Sequence, residues 1–201
     1  MKAKDVYQRG IEKMKSFSVK GVMPALRSAN EGAIDDVLNT NGCAYYQWTP
    51  GVVELLKPKQ VVEIGGAMGV WTIMALHNLP DKSKLYSITL PENGLEFCYI
   101  IDRYPNLIKV IGNDLDPEVW PEDTDLFTTD LWFFDSEHTE EQLRKEWEFY
   151  KTFFKRKAIL LFDDIHLNEG MERVWEDLKE NYDYFDATDP LHYSGFGICT
   201  V

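Results

Sequence analysis

Two short segments place acidic residues and a histidine directly after apolar runs. Asp135 follows one run and His138 comes three residues later, while Asp163 and Asp164 follow another run. Three carboxylates held together would raise one another's pKa values unless a cation lay among them. A hard divalent ion with oxygen ligands, most simply Mg²⁺, resolves that conflict and can hold two neighbouring oxygens of a substrate. His138, on the same rim, could take the proton of a hydroxyl group.

Each of these residues also has a structural interpretation. An acid after a buried strand is often a helix N-cap, and Asp135 ahead of Thr139 has that position. Asp163 and Asp164 could cap a helix or lie in a solvated loop, and His138 could be structural. The remaining histidines are interpreted as surface or flanking residues, although the last of them precedes the final strand and could face the same crevice: His77, His166 and His192.

A glycine-rich turn between a predicted strand and helix forms a second constellation. Glu63 lies near the end of a short apolar run, and Gly65, Gly66 and Gly69 follow it. Glycines let the backbone approach a ligand closely, and open α/β sheets hold nucleotide-like cofactors at such turns. The spacing lacks the Gly-x-Gly-x-x-Gly pattern of dinucleotide sites, and Glu63 would repel phosphate but attract a cation. S-adenosylmethionine, with an ammonium and a sulfonium group, fits these features. The glycine turn alone could also be an ordinary strand-to-helix connection of an α/β protein.

Alternating strands and helices must position these residues. Five strands, each followed by a helical connection, predict a parallel sheet with right-handed crossovers, and the carboxyl ends of such strands open into one crevice. Only seven residues separate the last two strands, so these should form an antiparallel hairpin. The predicted strands are Val61–Ile64, Lys84–Leu90, Ile108–Gly112, Asp130–Asp135, Ala158–Ile165, Tyr184–Thr188 and Phe196–Val201. The predicted helices span about 69–78, 93–103, 139–154 and 168–181, with a weaker one near 116–120.

The predicted fold class is therefore α/β, a Rossmann-like seven-stranded and mostly parallel sheet with a C-terminal antiparallel hairpin and helices on both faces. Residues 1–57 are expected to form a small helical N-terminal cap that covers the crevice or mediates formation of a homo-oligomer, and residues 58–201 the α/β domain. Three aromatic residues of the cap could line an acceptor pocket or pack the cap on the sheet: Tyr45, Tyr46 and Trp48.

Composition excludes some classes of partner. The formal net charge of −13 argues against general binding of nucleic acid or anionic membranes. No apolar run approaches the roughly 20 residues of a membrane helix, and the charged N-terminus does not resemble a signal peptide. Cys43, Cys98 and Cys199 are widely spaced and odd in number, which suggests reduced thiols in a cytoplasmic protein. The mixed charges from Glu140 to Lys157 are typical of a solvated helix face.

Three segments together resemble the motifs of class I S-adenosylmethionine-dependent methyltransferases: Val62–Gly69, Phe134–His138 and Phe162–Asp164. Within that class, the chain from about Trp48 to Val201 is similar to metal-dependent small-molecule O-methyltransferases related to macrolide-sugar and cephalosporin-pathway enzymes, and more broadly to catechol O-methyltransferase. The resemblance implies methyl transfer to a hydroxyl of a small molecule, with S-adenosylmethionine as cofactor. It also implies Mg²⁺ on three aspartates and His138 as general base. The implied metal ligands are Asp135, Asp163 and Asp164.

The resemblance further implies contacts with the cofactor, assigned to Glu63, Gly65, Gly66, Ala67, Gly69, Thr89, Asn113 and Asp135. Two positions depart from the family pattern. Thr89 stands where an acid usually holds both ribose hydroxyls, and Asn113 stands where an aspartate usually faces the adenine. Asp114 could substitute for Asn113.

The acceptor and two other classes of function stay open. A sugar or polyhydroxylated natural product is the first expectation for the acceptor, because a metal suits adjacent oxygens, and a catechol-like aromatic is the second. A binding module that has lost catalysis would explain Thr89 and Asn113. A nicotinamide oxidoreductase is disfavoured by the glycine spacing and the final hairpin.

Overall fold

The computed structural model describes residues 1–29, 37, 43–91 and 104–201. The predicted helix over 93–103 and Cys98 lie outside these residues. The described α-helices are α1 (Ala3–Met14), α2 (Met23–Ala29), α3 (Tyr45–Leu56), α4 (Val70–His77), α5 (Glu140–Tyr150), α6 (Glu169–Asn181) and α7 (Thr188–Leu191). The described strands are β1 (Gln60–Ile64), β2 (Lys84–Thr89), β3 (Leu107–Ile111), β4 (Leu131–Phe134), β5 (Ile159–Asp163), β6 (Asp183–Asp186) and β7 (Phe196–Thr200).

The strands form one seven-stranded sheet in the order β3-β2-β1-β4-β5-β7-β6. Neighbours from β3 to β5 pair in parallel, while β7 is antiparallel to both β5 and β6. The chain runs outward from β1 in one direction to β3 and then returns to start β4 on the other side. A crevice at the carboxyl ends of β1 and β4 follows from this reversal, and it is where α/β sheets bind ligands. The predicted fold class is confirmed, with β7 inserted between β5 and β6.

Alternate side chains of the buried strands pack into two layers. On one face, Val61, Phe133 and Leu161 pack with the N-terminal helices and α4, and the ring of Trp71 stacks on Phe133 at 4.5 Å. On the other face, residues such as Trp132 pack with α5 and α6. Because both faces are covered, β1, β4 and β5 are buried at every position, and their residues are apolar except for Gln60, Glu63 and Asp163.

The N-terminal helices share the core of the first face. The Trp48 side chain is fully buried, and its Nε1 donates to the carbonyl of Tyr7 at 3.2 Å. A Cβ on Gly10 would lie 2.4 Å from Trp48 Nε1, and one on Gly51 would lie 2.4 Å from the Gly10 carbonyl oxygen. These two glycines therefore allow α1 and α3 to cross closely. The division of the chain at residue 57 stays a prediction.

Several element boundaries differ from the predicted ones. The strand predicted to reach Ile165 ends at Asp163, because Asp164 adopts a left-handed conformation with φ of 55°. The weak helix near 116–120 is a single 3₁₀ turn at Pro117–Val119, and α5 ends at Tyr150. The short α7 between β6 and β7 was not predicted. No helix within the described ranges is both long and apolar enough to cross a membrane.

Candidate active site

A cavity of about 450 Å³ opens at the carboxyl ends of β1 to β4. Five predicted cofactor contacts line it: Gly65, Ala67, Thr89, Asn113 and Asp135. Three others, although described, do not line it: Glu63, Gly66 and Gly69. Asp114, Ser136, Glu137 and Gln142 complete the polar part of the wall. The cavity is therefore formed by the loops that follow four neighbouring strands and by the first turn of α5.

The glycine turn closes tightly against the neighbouring strands. Gly65 has φ of +93°, and a Cβ on it would lie 1.8 Å from the carbonyl oxygen of Asp135. The backbone N–H groups of Gly65 and Gly66 both donate to the carbonyl of Ile88 at 3.0 Å. Gly69, with φ of +75°, precedes the first residue of α4. These glycines thus hold the turn in place, and Gly65 lets β1 and β4 approach beneath the cavity floor.

Glu63 lies buried below this turn rather than on the cavity wall. The Thr72 hydroxyl donates to its Oε2 at 2.5 Å, and burial raises the pKa of the Glu63 carboxyl to about 7. This side chain joins β1 to α4 in the described structure. Its direct contact with a cofactor stays a prediction.

The loop after β3 presents Asp114 to the cavity. Asn113 Oδ1 accepts a hydrogen bond from the Leu115 N–H at 3.0 Å and so faces its own loop. Asp114 Oδ1 accepts from Gln142 Nε2 at 3.3 Å, whereas Asp114 Oδ2 is buried without a hydrogen-bond partner among the described residues. Burial raises the pKa of the Asp114 carboxyl to about 6. Asp114 therefore carries an acceptor without a partner among the described residues, on the loop where Asn113 was expected to supply one.

The predicted acids and histidine meet beside the cavity. His138 Nε2 lies 3.1 Å from Asp135 Oδ1 and 3.2 Å from Asp164 Oδ2. Asp163 adjoins this group, since ligand atoms of Asp135, His138 and Asp163 all lie within 4.8 Å of one another. The four residues come from the ends of β4 and β5, which pair in parallel and therefore end at the same edge.

Three further residues contact these acids. The sequence left a place at the site open for His192 and Tyr45, and did not indicate Ser194. His192 Nδ1 lies 3.3 Å from Asp163 Oδ1 and 3.4 Å from Asp164 Oδ1. The Ser194 hydroxyl donates to Asp164 Oδ1, and the Tyr45 hydroxyl donates to Asp163 Oδ2 at 3.2 Å. His192 and Ser194 reach the site because β7 returns antiparallel beside β5. We name the acid–histidine cluster as Asp135, His138, Asp163, Asp164 and His192.

The electrostatics of the acid–histidine cluster favour a bound cation. Burial, followed by the charges of neighbouring acids, raises the pKa values of Asp135 and Asp163 well above the usual range. Asp163 is 5% exposed, and its Oδ1 has no hydrogen-bond partner in the part of the chain that the structure describes. A buried acceptor without a donor is unfavourable by about 1–3 kcal/mol. A divalent cation satisfies that oxygen and relieves the repulsion, so the residues fit such an ion.

The structural interpretations of the acids do not hold. Thr139, not Asp135, caps α5, since its hydroxyl accepts from the Gln142 N–H at 3.3 Å. Asn168 caps α6 by accepting from the N–H groups of Gly170 and Met171. The two aspartates after β5 are also buried rather than solvated. The acids are therefore available to the site.

A buried glutamate supports the cavity wall from α5. Glu146 is 0% exposed, which corrects the expectation that residues 140–157 form a wholly solvated face. Its Oε1 accepts from the Ser136 hydroxyl at 2.5 Å and from Gln142 Nε2 at 2.8 Å. Burial, and then the charge of Asp114, raises the pKa of the Glu146 carboxyl to about 8. The only feature of the sequence that indicated the burial of Glu146 was its helical spacing between Leu143 and Tyr150.

The other predicted histidines lie away from the site. His166 Nε2 is 2.8 Å from Asp186 Oδ2, and its Nδ1 is 3.6 Å from Glu172. His77 is exposed and its ring packs edge-on against Phe17.

Comparison with solved structures identifies the same architecture in O-methyltransferases. The O-methyltransferase TomG from Streptomyces achromogenes, solved with S-adenosylmethionine, is 15% identical and has a TM-score of 0.68, with 100% of this chain and 99% of that chain covered. The O-methyltransferase from Bacillus cereus, solved with S-adenosylhomocysteine, is 15% identical with a TM-score of 0.65, and 91% and 90% are covered. The methyltransferase PaMTH1 from Podospora anserina is 14% identical with a TM-score of 0.64, and 88% and 87% are covered.

Comparison of sequences points to the same class. No curated protein significantly matches the chain. Residues 62–165, about half of the chain, match a family described as a methyltransferase domain, and this segment contains both the glycine turn and the acid segments. The resemblance to class I S-adenosylmethionine-dependent methyltransferases is thereby confirmed. The chain belongs to this methyltransferase-domain family.

Proposed function

We propose that this protein transfers the methyl group of S-adenosylmethionine to a hydroxyl of a small molecule. The observation that carries the proposal is the position of Asp135, which lines the cavity and also lies 3.1 Å from His138 in the acid–histidine cluster. One carboxylate thus separates a cavity suited to a nucleoside from a site suited to a deprotonated oxygen. Methyl transfer requires these two reactants to meet at such a boundary.

The cavity supports binding of the cofactor by its adenosine part. Asp114 Oδ2, buried and without a partner among the described residues, is suited to accept a hydrogen bond from the adenine amino group. Thr89 would contact the ribose with one hydroxyl, and the turn at Gly65 and Ala67 would lie beside the methionine part. The structures of TomG and the Bacillus cereus enzyme, solved with S-adenosylmethionine and S-adenosylhomocysteine respectively, support this choice of ligand.

The cluster supports activation of the acceptor. Asp135, Asp163 and Asp164 would hold Mg²⁺ or another divalent ion, which supplies stabilisation of negative charge on an oxygen. His138 would take the proton of the hydroxyl group. The acceptor oxygen then forms a bond to the methyl carbon, the bond between that carbon and sulfur breaks with its electron pair passing to sulfur, and S-adenosylhomocysteine leaves. Positioning and electrostatic stabilisation supply most of the acceleration.

The position of the N-terminal segment supports the proposal of a small acceptor, because this segment covers part of the acid–histidine cluster. Tyr45 belongs to α3 and places its hydroxyl on Asp163, so residues before 58 contribute to the site. A compound with adjacent hydroxyl groups, such as a sugar or polyhydroxylated natural product, suits a divalent ion, and a catechol is the second choice. Thr89 in place of an acid favours one alternative, a methyltransferase-fold protein that binds the cofactor weakly and lacks catalysis.

Titration calorimetry and a transfer assay together test the proposal. We expect S-adenosylhomocysteine to bind in the micromolar range, and labelled methyl groups to move to sugar or catechol acceptors only when a divalent ion is present. Asp164→Ala should abolish turnover and leave product binding within about twofold, while the exposed Asp81→Ala should change neither. Binding of NADH instead would contradict the proposal. Product binding without transfer to any acceptor would favour the binding protein.

A further inference from the structure

His192 is held rigidly against the acids of the cluster. It follows α7, its backbone N–H donates to Thr188 at 2.9 Å, and its carbonyl accepts from the Gly195 N–H at 3.2 Å. The residue is 6% exposed, and its ring lies edge-on to Tyr45 with centroids 5.2 Å apart. The ring is therefore fixed with Nδ1 directed at the cluster.

The distances around Nδ1 match those between ligands of a single ion. Nδ1 is 3.3 Å from Asp163 Oδ1 and 3.4 Å from Asp164 Oδ1. Two ligands that bind one ion at about 2.1 Å and at right angles lie about 3 Å apart. Ligand atoms of all three residues lie within 4.8 Å of one another, which is compatible with a single ion. The three side chains therefore lie close enough together for one ion to contact all of them.

One carboxylate oxygen in this arrangement lacks a partner among the described residues unless a cation is present. Asp163 Oδ1 is buried and makes no hydrogen bond within the described ranges, so its 3.3 Å contact with Nδ1 lacks hydrogen-bond geometry. The Ser194 hydroxyl lies 3.1 Å from Nδ1, but its single proton is donated to Asp164. Without a proton Nδ1 faces only acceptors, whereas with one it can donate to the Ser194 oxygen. A cation among them satisfies both the nitrogen and the carboxylate.

We propose that His192 is a metal ligand, and that its nitrogen makes the site prefer a divalent transition ion such as Mn²⁺ over Mg²⁺. This inference rests on the metal site of the proposed function. Mg²⁺ binds oxygen and gives up its water reluctantly, whereas Mn²⁺ and the later divalent ions accept imidazole more readily. The remaining ligands are Asp163, Asp164 and Asp135, and His138 keeps its role as the base.

Electron paramagnetic resonance of Mn²⁺ bound to the full chain tests this assignment. We expect electron spin-echo modulation from a ¹⁴N nucleus in the wild type, and competition that requires at least about tenfold more Mg²⁺ than Mn²⁺. In His192→Asn the nitrogen modulation should disappear, Mn²⁺ affinity should fall about 10- to 100-fold, and the preference over Mg²⁺ should shrink. His138→Asn and His166→Asn are the matched controls, and both should retain the modulation.

Product binding separates failure of this inference from failure of the proposed function. S-adenosylhomocysteine affinity in His192→Asn should stay within about twofold of the wild type, which shows that the fold is intact. Any one of three results would overturn the inference. The first is Mn²⁺ binding without nitrogen modulation, and the second is modulation that is lost in His138→Asn but kept in His192→Asn. The third is equal affinity of the wild type for Mn²⁺ and Mg²⁺. If such a protein still transfers methyl groups with Mg²⁺, the proposed function stands. A wild type that binds neither Mn²⁺ nor Mg²⁺ would overturn the metal assignment as well.

Discussion

The carboxylate of Asp135 lies 3.1 Å from the imidazole of His138, at the point where the cavity meets the acid–histidine cluster. The same nitrogen lies 3.2 Å from Asp164, so the imidazole is held between two acids that come from adjacent strands. An imidazole held in this way has a fixed ring orientation. In the proposed function, this arrangement would join proton removal to cofactor binding through a single aspartate.

Replacement of His138 should affect turnover far more than binding. In His138→Gln, transfer of the methyl group should slow by about 10²- to 10⁴-fold, because the hydroxyl proton loses its acceptor. S-adenosylhomocysteine affinity should change by less than about twofold, since His138 does not line the cavity. Single-turnover kinetics and calorimetry measure the two effects. His166→Gln serves as control, and equal loss of turnover in both variants would contradict the role of His138.

Local sequence patterns were sufficient to locate four residues of the cluster. Asp135, Asp163 and Asp164 each lie at or directly beyond the end of an apolar strand, and parallel strands end at one edge. His192 could not be assigned in this way, because its position depends on the pairing of Asp163 with Phe196 when β7 inserts beside β5. That pairing joins distant segments and leaves no local pattern.

Glu146 and Asp114 show a second limit. The charged residues around Glu146 have the pattern of a surface helix, yet the contact of α5 with the loops after β3 and β4 buries this one side chain. Asn113 stands at the position expected to face the adenine and lines the cavity, but its Oδ1 accepts from its own loop, and Asp114 carries the oxygen that has no partner among the described residues. Loop conformation decides both outcomes, and side-chain type alone does not determine it.

Asp114→Asn should change which base the cavity accepts. Gln142 would keep an oxygen partner, so the amide nitrogen of the new side chain would face the adenine amino group and two donors would meet. We expect the affinity for S-adenosylhomocysteine to fall about tenfold, which is about 1.4 kcal/mol. The affinity for the inosine analogue, which has a carbonyl in place of the amino group, should fall less or should rise.

Calorimetry with both nucleosides distinguishes this effect from general damage to the cavity. Glu122→Gln, which changes an exposed acid in the same way, should leave both affinities unchanged. An equal loss for the adenine and hypoxanthine compounds would show that Asp114 does not contact the base.

Glu146→Gln should remove a pH dependence of stability. The carboxyl has a pKa of about 8 in the folded protein and about 4.5 when unfolded, so between these values the folded state holds a proton that the unfolded state has lost. Stability from this group is complete below about pH 4.5 and is lost as the pH rises through about 8. The neutral amide avoids that loss, so at pH 9 the free energy of unfolding of the variant should exceed that of the wild type by up to a few kcal/mol.

Denaturant unfolding at pH 5, 7 and 9 measures the difference between the two proteins. The gain should be small at pH 5 and should grow towards pH 9. Glu180→Gln, an exposed acid of α6, should show no such trend. A difference that is constant over this range would mean that the Glu146 carboxyl titrates normally.

Tyr45→Phe should lower the stability of the metal-free protein, and it should lower the stability of the metal-loaded protein much less. The variant deletes the only donor that the structure shows, among the described residues, for Asp163 Oδ2, and it leaves the aromatic contacts of the ring in place. Loss of a donor to a buried carboxylate should reduce the free energy of unfolding by about 1–3 kcal/mol. A divalent ion bound to Asp163 compensates for the missing hydroxyl, so the difference should shrink by at least half in saturating Mn²⁺.

Thermal unfolding with and without the ion measures this difference. Tyr7→Phe is the control, because the ring of Tyr7 stacks on Phe185 at a site remote from Asp163. A stability difference that is the same with and without Mn²⁺ would show that the hydroxyl and the metal do not share this carboxylate.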